Sequence, residues 1–406
     1  MTSIGRRRDG YVEGLNTMRF DQDYCRSIME AHWASGGHYT RPNPVAYPQQ
    51  WLWDSCFHAL IWFALGETQR SLQEMGSVFR GQRSSGFVPH VSYRSCGGLK
   101  DRMWSWQGED YSCITQPPMY GHVLRVLGEG GLAIGDLAER ADRALWWLIR
   151  NRRRQERRRL VILHPSESGA GTSPRFDSWN ATARDHASWT GVKASLLRTV
   201  EVDEQGCGVR NPAFEVYSAS FNALVAFNIA ELVAVRPDRA LARAGREIAE
   251  ELDDCWVPSQ GTWSDTSALS GAAVCVRTGD ALLASLVSGS DAAVATALGA
   301  VSDPAQFGSS FGVPSVARDE PAFDASGYWR GSSWPPINYL LWLVAYRRGD
   351  QSAAEALAQR ALAGAERSGA SEYFHPITGE ALGATPQAWG CLPICMTGAT
   401  GSSQAR

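Results

Sequence analysis

Two carboxylates in this chain stand among aromatic side chains, in segments whose composition suits a binding site. Asp54 follows two tryptophans in Gln50-Trp51-Leu52-Trp53-Asp54-Ser55-Cys56-Phe57, and Glu372 lies in Ser371-Glu372-Tyr373-Phe374-His375-Pro376-Ile377-Thr378-Gly379. A positioned carboxylate can deprotonate a water or accept hydrogen bonds from hydroxyls. Asp54 also precedes an apolar run from Ala59 to Leu65, where it could simply cap a helix. The chain carries 16 tryptophans, and core packing accounts for many. Trp51, Trp53, Trp104, Trp106, Trp179 and Trp329 instead sit in Gly/Pro/Ser-rich stretches, where ring faces suit the C–H surfaces of sugars. His90, in Gly86-Phe87-Val88-Pro89-His90, reads as structural on its own, as most isolated histidines do.

These strings resemble the (α/α)6-barrel glycosidases of glycoside hydrolase family 63 and the related trehalases. The resemblance covers about residues 10–395. It implies an all-α toroid of helical hairpins with long loops at one mouth. It implies an inverting α-glycosidase chemistry, in which one carboxyl group protonates the leaving oxygen and another deprotonates a water on the far face of the sugar. Glu372 takes the place of the base, with Gly383 and Trp389 downstream. Asp54 takes the place of a residue that binds sugar hydroxyls beside the catalytic pair. Trp51, Trp53, Gln116 (in Thr115-Gln116-Pro117-Pro118), Glu167, Arg175, Asp177, Trp329, Arg330 and Tyr373 are the implied substrate contacts. In Gly327-Tyr328-Trp329-Arg330-Gly331-Ser332-Ser333-Trp334-Pro335-Pro336-Ile337-Asn338-Tyr339, Trp329 would floor the sugar site and Arg330 could neutralise a carboxylate, while Trp334 and Asn338 anchor a barrel helix. Glu215 and Asn222 fit a further family segment or pack helices.

One segment departs from the pattern. The family's acid lies in E-S-G-x-D-N-S-P-R-x-D, and this chain reads Glu167-Ser168-Gly169-Ala170-Gly171-Thr172-Ser173-Pro174-Arg175-Phe176-Asp177. The two align without a gap, so Gly171 occupies the vacated acid position and His164, Glu167 and Asp177 are the nearest titratable groups. Three readings follow: a glycoside-cleaving enzyme with a reassigned acid or a substrate that supplies the proton; a non-hydrolytic isomerase, cyclase, lyase or glycosyl-transfer enzyme on a sugar-derived metabolite of a specialised pathway; and a sugar-binding pseudoenzyme.

The elements that must position these groups are helical. Leu137, Ala141, Leu145 and Leu148 recur on one face, as do Leu241, Ala244, Ile248 and Leu252. Ser71-Leu72-Gln73-Glu74 and Ser352-Ala353-Ala354-Glu355 read as capping boxes, and Asp291 as a cap for the helix carrying Val294 and Leu298. Roughly eleven to thirteen helices are expected, with little strand signal. Long loops near 34–56, 84–117, 163–190, 255–275 and 305–334 carry every motif above.

Composition sets the bounds. With 44% hydrophobic and 20% charged residues, the chain is that of a globular protein. Its 406 residues exceed the usual reach of one core, yet a closed helical ring holds that length as a single domain, 1–406, and no linker divides it. A net charge of −3 argues against nucleic acid as a partner. The arginine-rich run 150–159 reads as a solvated helix end, or else as an anion patch. The nine cysteines lack metal or disulfide spacing and suit reduced thiols in a cytoplasmic protein. No secretory leader, membrane span, cofactor or metal is expected; the partner is a small sugar or glycoside.

Overall fold

The computed structural model describes residues 20–93, 110–155, 157–179 and 186–397. Among them are twelve α-helices: α1 (Gln22–His32), α2 (Leu52–Ala64), α3 (Thr68–Val78), α4 (Tyr120–Glu129), α5 (Gly135–Arg152), α6 (His186–Arg198), α7 (Ala219–Val235), α8 (Arg239–Asp253), α9 (Asp291–Ser302), α10 (Pro335–Arg347), α11 (Gln351–Ser368) and α12 (Ile394–Thr397). The strands are two or three residues long and pair antiparallel, forming clips between loops rather than a core sheet.

Six inner segments touch in a closed circuit: α2 on α4, α4 on α7, α7 on the 3-10 turn Ala281–Leu286, that turn on α10, α10 on the turn Ala388–Cys391, and that turn back on α2. Outer helices back them, with α3 on α2, α5 on α4, α8 on α7, α9 on 281–286, α11 on α10 and α1 on 388–391. This is the (α/α)6 ring. Two of its inner members are short 3-10 turns rather than full α-helices.

Burial explains which helices carry a readable stripe. The outer helix α8 buries Leu241, Ala244, Ile248 and Leu252 on one face, and Asp238 caps it by accepting from the Ala240 and Leu241 N–H groups at 2.8 and 3.0 Å. The inner helices α2, α7 and α10 are buried almost all round, as a segment enclosed by neighbours must be. In α10, Pro335 and Pro336 occupy the first turn, where the missing N–H costs nothing.

Three expected caps are corrected. Ser71 lies inside α3, where its hydroxyl donates to the Ala59 carbonyl, and Glu74 is buried and accepts from Thr40. Asp350 rather than Ser352 caps α11, and Ser290 rather than Asp291 caps α9. In both helices a neighbouring side-chain oxygen took the cap, Asp350 accepting from the Ala353 N–H and Ser290 from the Ala293 N–H.

Candidate functional site

A cavity of about 1590 Å³ opens among the described residues, lined by Trp51, Trp53, Asp54, Gln116, Gly171, Trp329 and Glu372. A smaller one of about 680 Å³ shares Tyr47, Tyr328 and Glu372 with it and includes Arg330 and Tyr373. Glu372 therefore stands at the junction of two spaces.

The loops around Glu372 fix its carboxylate from three sides. The Glu372 N–H donates to the Ala384 carbonyl at 2.8 Å, and the Ala384 N–H returns to Glu372 Oε2 at 3.0 Å. Tyr47 and Tyr328 hydroxyls donate to Oε1 at 3.0 and 3.2 Å. Trp389 Nε1 donates to the Glu372 carbonyl at 2.9 Å. Gly383, at φ +71°, permits the approach, because a Cβ there would lie 2.5 Å from Oε2. Burial raises the Glu372 carboxyl above its ordinary range, and the three donors offset part of that rise. Burial, with the Glu372 charge beside them, raises the Tyr47 and Tyr328 phenols, so both remain hydrogen-bond donors.

Asp54 lies in the first turn of α2, whose cap position is Trp51; it is not the cap. The helix start is pinned by its neighbours. Trp51 pairs with Val91, Leu52 N–H donates to the His90 carbonyl at 2.8 Å, and Trp53 N–H donates to Gln116 Oε1 at 3.1 Å. Burial pushes Asp54 up to about 7, the His58 ring one turn on pulls it down, and the Glu372 charge adds to the rise.

Tryptophans floor the cavity. Trp53, Trp329 and Trp389 line it, and Trp329 stacks on Trp334 with centroids 3.8 Å apart and planes 5° apart. Trp334 in turn stacks on Tyr373 at 4.5 Å. Trp329 holds a φ of +60°, a left-handed conformation that is strained for so large a residue and is typical of positions fixed for function. Trp104 and Trp106 lie outside the described residues, and Trp179 packs on Phe214 away from the cavity.

Gly171 lines the cavity. A Cβ on it would meet Ser166 Oγ at 3.1 Å, so a side chain fits only if Ser166 yields slightly. The Gly171 loop is tied to the Trp329 loop: the Thr172 hydroxyl donates to the Tyr328 carbonyl, and Arg330 donates to the Thr172 carbonyl at 3.1 Å. Arg330 also grips both Asp177 oxygens, at 2.8 and 2.7 Å.

Three implied substrate contacts are thus corrected. Glu167 is fully buried behind the wall, where Arg152 takes both its oxygens at 2.7 and 2.8 Å and the Leu163 and Thr115 N–H groups complete its shell. Arg175 is buried against Asp265 and Asp280. Asp177 lines neither cavity and is engaged by Arg330. Motif adjacency placed them at the site; the direction of their side chains makes them loop anchors. Glu215 pairs with Arg154, and Asn222 bonds Leu160 in both directions, which are packing roles. The arginine run is matched by Glu215, Glu247, Glu250 and Glu251 and presents no anion patch. Sequence reasoning did not single out Tyr47, Tyr328 or Lys193, all at the cavity. The signal existed only for Tyr328, which adjoins Trp329.

No group of three His, Cys, Asp or Glu among the described residues is arranged to hold a metal ion. No helix among them is long and apolar enough to cross a membrane.

Comparison with known proteins agrees with this geometry. A mannosylglycerate hydrolase of Thermus thermophilus is 29% identical, over 87% of this chain and 95% of its own length. A glucosylglycerate hydrolase of Mycolicibacterium hassiacum is 25% identical, over 87% of this chain and 92% of its own. A solved mannosylglycerate hydrolase of glycoside hydrolase family 63, from Thermus thermophilus in complex with Tris and D-glycerate, superposes with a TM-score of 0.80 at 25% identity, covering 92% of this chain and 99% of that one. The neutral trehalase of Saccharomyces cerevisiae shares the fold at a TM-score of 0.59. The family model described as the mannosylglycerate hydrolase MGH1-like glycoside hydrolase domain matches residues 47–390, and this chain belongs to that family of glycoside hydrolases.

Proposed function

We propose that this protein hydrolyses a small α-glycoside of a hexose with a short carboxylate-bearing aglycone of the glycerate kind, with inversion, and with Glu372 as the base. The observation that carries this is Glu372 itself. Its carboxylate is held by two phenols and an amide at the junction of a large cavity and a small one, and burial raises its basicity. A carboxylate whose pKa is raised is a stronger base and is suited to deprotonating water. The smaller chamber supplies room for that water on one side of the carboxylate, and the tryptophan-floored cavity takes the sugar on the other. Asp54, Gln116 and Trp53 bind the sugar ring. Arg41 and Arg80 line the same cavity and supply cations for an aglycone carboxylate. The relatives' names point to the same substrate class. The free cysteines among the described residues suit a reducing, cytoplasmic setting.

A second reading, a non-hydrolytic reaction on a sugar-derived compound, is favoured by Gly171 alone. One assay separates the two. Purified protein is incubated with mannosylglycerate and glucosylglycerate, and released hexose and its anomer are followed by proton NMR. Hydrolysis with inversion is expected, together with a loss of at least ~10²-fold in kcat for Glu372→Gln at nearly unchanged binding. Binding of either glycoside without release of hexose by the wild type would overturn the hydrolytic reading.

A further inference from the structure

We propose that His58, paired with Glu74 behind the cavity wall, is a positioning residue that keeps Asp54 a carboxylate for the sugar's hydroxyls. The proposal rests on the reading of Asp54 as a sugar-binding group. Asp54 and His58 lie one turn apart on α2, and both are buried, at 5% and 0% exposure. Residues four apart share a helix face, and a helical side chain lies over the turn before its own Cα, so the His58 ring leans toward Asp54. Asp54 lines the cavity; His58 and Glu74 do not. On the other side α3 packs on α2 and sets Glu74 Oε1 3.8 Å from His58 Nδ1, within ion-pair range and beyond a hydrogen bond.

Three buried polar atoms here have no hydrogen-bond partner among the described residues: both ring nitrogens of His58 and Oε1 of Glu74. Glu74 Oε2, by contrast, accepts from the Thr40 N–H and hydroxyl, each at 2.7 Å, and Trp62 Nε1 donates to that hydroxyl at 2.9 Å. The carboxylate is clamped by one oxygen and turns the other to the ring. A sealed ring that makes no hydrogen bond is worse than an apolar one if it only fills space. What it supplies is charge. A buried carboxylate needs a compensating cation, and the His58 ring is in ion-pair reach of Glu74. The same cation serves Asp54.

The other titratable groups around the pair are Glu372 and Tyr47 beside Asp54, Cys56 on the same helix, and His32 of α1 with Arg41 near it. Burial keeps the Tyr47 phenol and the Cys56 thiol protonated and holds His32 down at about 4, its Nδ1 bonded to the Arg41 and Pro42 carbonyls at 3.1 and 3.0 Å. Burial is the largest influence raising Asp54, His58 is the largest opposing it, and Glu372 and Glu74 add to the rise in that order.

The test titrates Asp54 with no substrate present. Aspartate labelled with carbon-13 at the side-chain carboxyl is incorporated, the Asp54 signal is identified by its loss in Asp54→Asn, and its midpoint is followed by NMR. The wild-type midpoint is expected at about pH 7. His58→Gln removes the cation and strands the Glu74 charge, so the midpoint should rise by about 1 pH unit or more. In His58→Gln/Glu74→Gln the stranded charge is gone as well, and the midpoint should fall between the other two, because His58 acts on Asp54 more strongly than Glu74 does. On mannosylglycerate, kcat/KM reports the ionisations of the free enzyme. It should fall as pH drops through the wild-type midpoint, and that limb should move up with the midpoint in both variants. Equal midpoints in all three proteins would show that His58 only fills space and would overturn the proposal. Any other order, or a limb that stays in place while the midpoint moves, overturns it too. Should His58→Gln not fold, the double variant decides: a midpoint at or below the wild-type value overturns the proposal. A wild type that hydrolyses neither mannosylglycerate nor glucosylglycerate overturns the hydrolytic reading instead, and the order of the midpoints still decides the role of His58.

Discussion

A buried carboxyl group carries its function and its cost in the same atoms. Asp54 is almost completely buried, and its pKa rises to about 7 from burial first, with the Glu372 charge adding and His58 opposing. The folded protein therefore binds a proton there that the unfolded chain has released between about pH 4 and pH 7. Stability is highest with Asp54 protonated and falls as pH rises through that window. Asp54→Asn removes the ionisation. It should leave stability unchanged near pH 4 and raise it progressively to a plateau above pH 7, by at most about 4 kcal/mol, while lowering turnover. Thermal unfolding of both proteins from pH 4 to pH 8 measures this, and curves that stay parallel would show that Asp54 is not buried as a charge. At this scale the sequence was legible in part. Glu372 and Asp54 stood out because the strings that carry them resemble the glycosidase family's motifs, and Trp53 and Trp329 also because large rings in Gly/Pro/Ser-rich segments suit sugar faces. Tyr47, Tyr328 and Lys193 did not, because each is a common residue that gains meaning only when segments far apart in sequence meet. Glu167 and Arg175 were misplaced for the converse reason: adjacency in a motif does not say which side of a loop a side chain faces.

The inner helices determine how closely the site's loops can approach. Gly121 of α4 faces α7 so tightly that a Cβ would lie 2.1 Å from the Asn228 carbonyl oxygen. The same Asn228 accepts from the His122 N–H at 3.0 Å and donates to the Pro118 carbonyl at 2.6 Å, which fixes the start of α4 and the loop carrying Gln116. Gly121→Ala must push two inner helices apart. The expected cost is about 3 kcal/mol, the upper end of ordinary overpacking, less the ~1 kcal/mol that alanine gains over glycine in a helix. Urea unfolding reads it, and a variant as stable as wild type would show that the α4–α7 contact is looser than described. A second consequence is a weaker hold of Gln116 on α2. Outer helices such as α5 and α8 were legible because one face is wet and the other dry. The inner helices were harder, since α7 and α10 are buried on every side and lose their period. The turn Ala281–Leu286 gave no helical signal of its own and holds its place through neighbours on either side. The caps at Ser71, Ser352 and Asp291 failed because an S-x-x-E spacing or a helix-flanking Asp is common, and only the folded chain shows which oxygen accepts from the first-turn N–H groups.

A ring holds together only if successive inner members are tied to one another, and one polar cluster ties three of them. His122 on α4 bonds Glu231 of α7 through Nδ1 and Tyr339 of α10 through Nε2, each at 2.8 Å. Arg347 of α10 and Arg125 of α4 both donate to the same Glu231 carboxylate, at 2.9 and 2.8 Å for Oε1. Burial alone would raise this carboxyl; the hydrogen bonds from His122 and Arg347 and their electrostatic attraction outweigh it and hold the pKa at about 2. The charged form is therefore the one the fold favours. Its contribution is full above about pH 4.5, the ordinary value, and is lost as pH falls from there through about 2. A depression of this size corresponds to about 3 kcal/mol, which matches the usual cost of breaking a buried ion pair from one side. Glu231 lines neither cavity, so Glu231→Gln should weaken the whole ring without touching the chemistry. The variant is expected to lose about 3 kcal/mol at pH 7, with kcat at saturating substrate near wild type, and the gap should close as pH falls below 4. Guanidinium unfolding at pH 7, 4 and 3 measures the gap. A difference that stays constant across that range would show that packing around Glu231, rather than its charge, binds α4, α7 and α10 together.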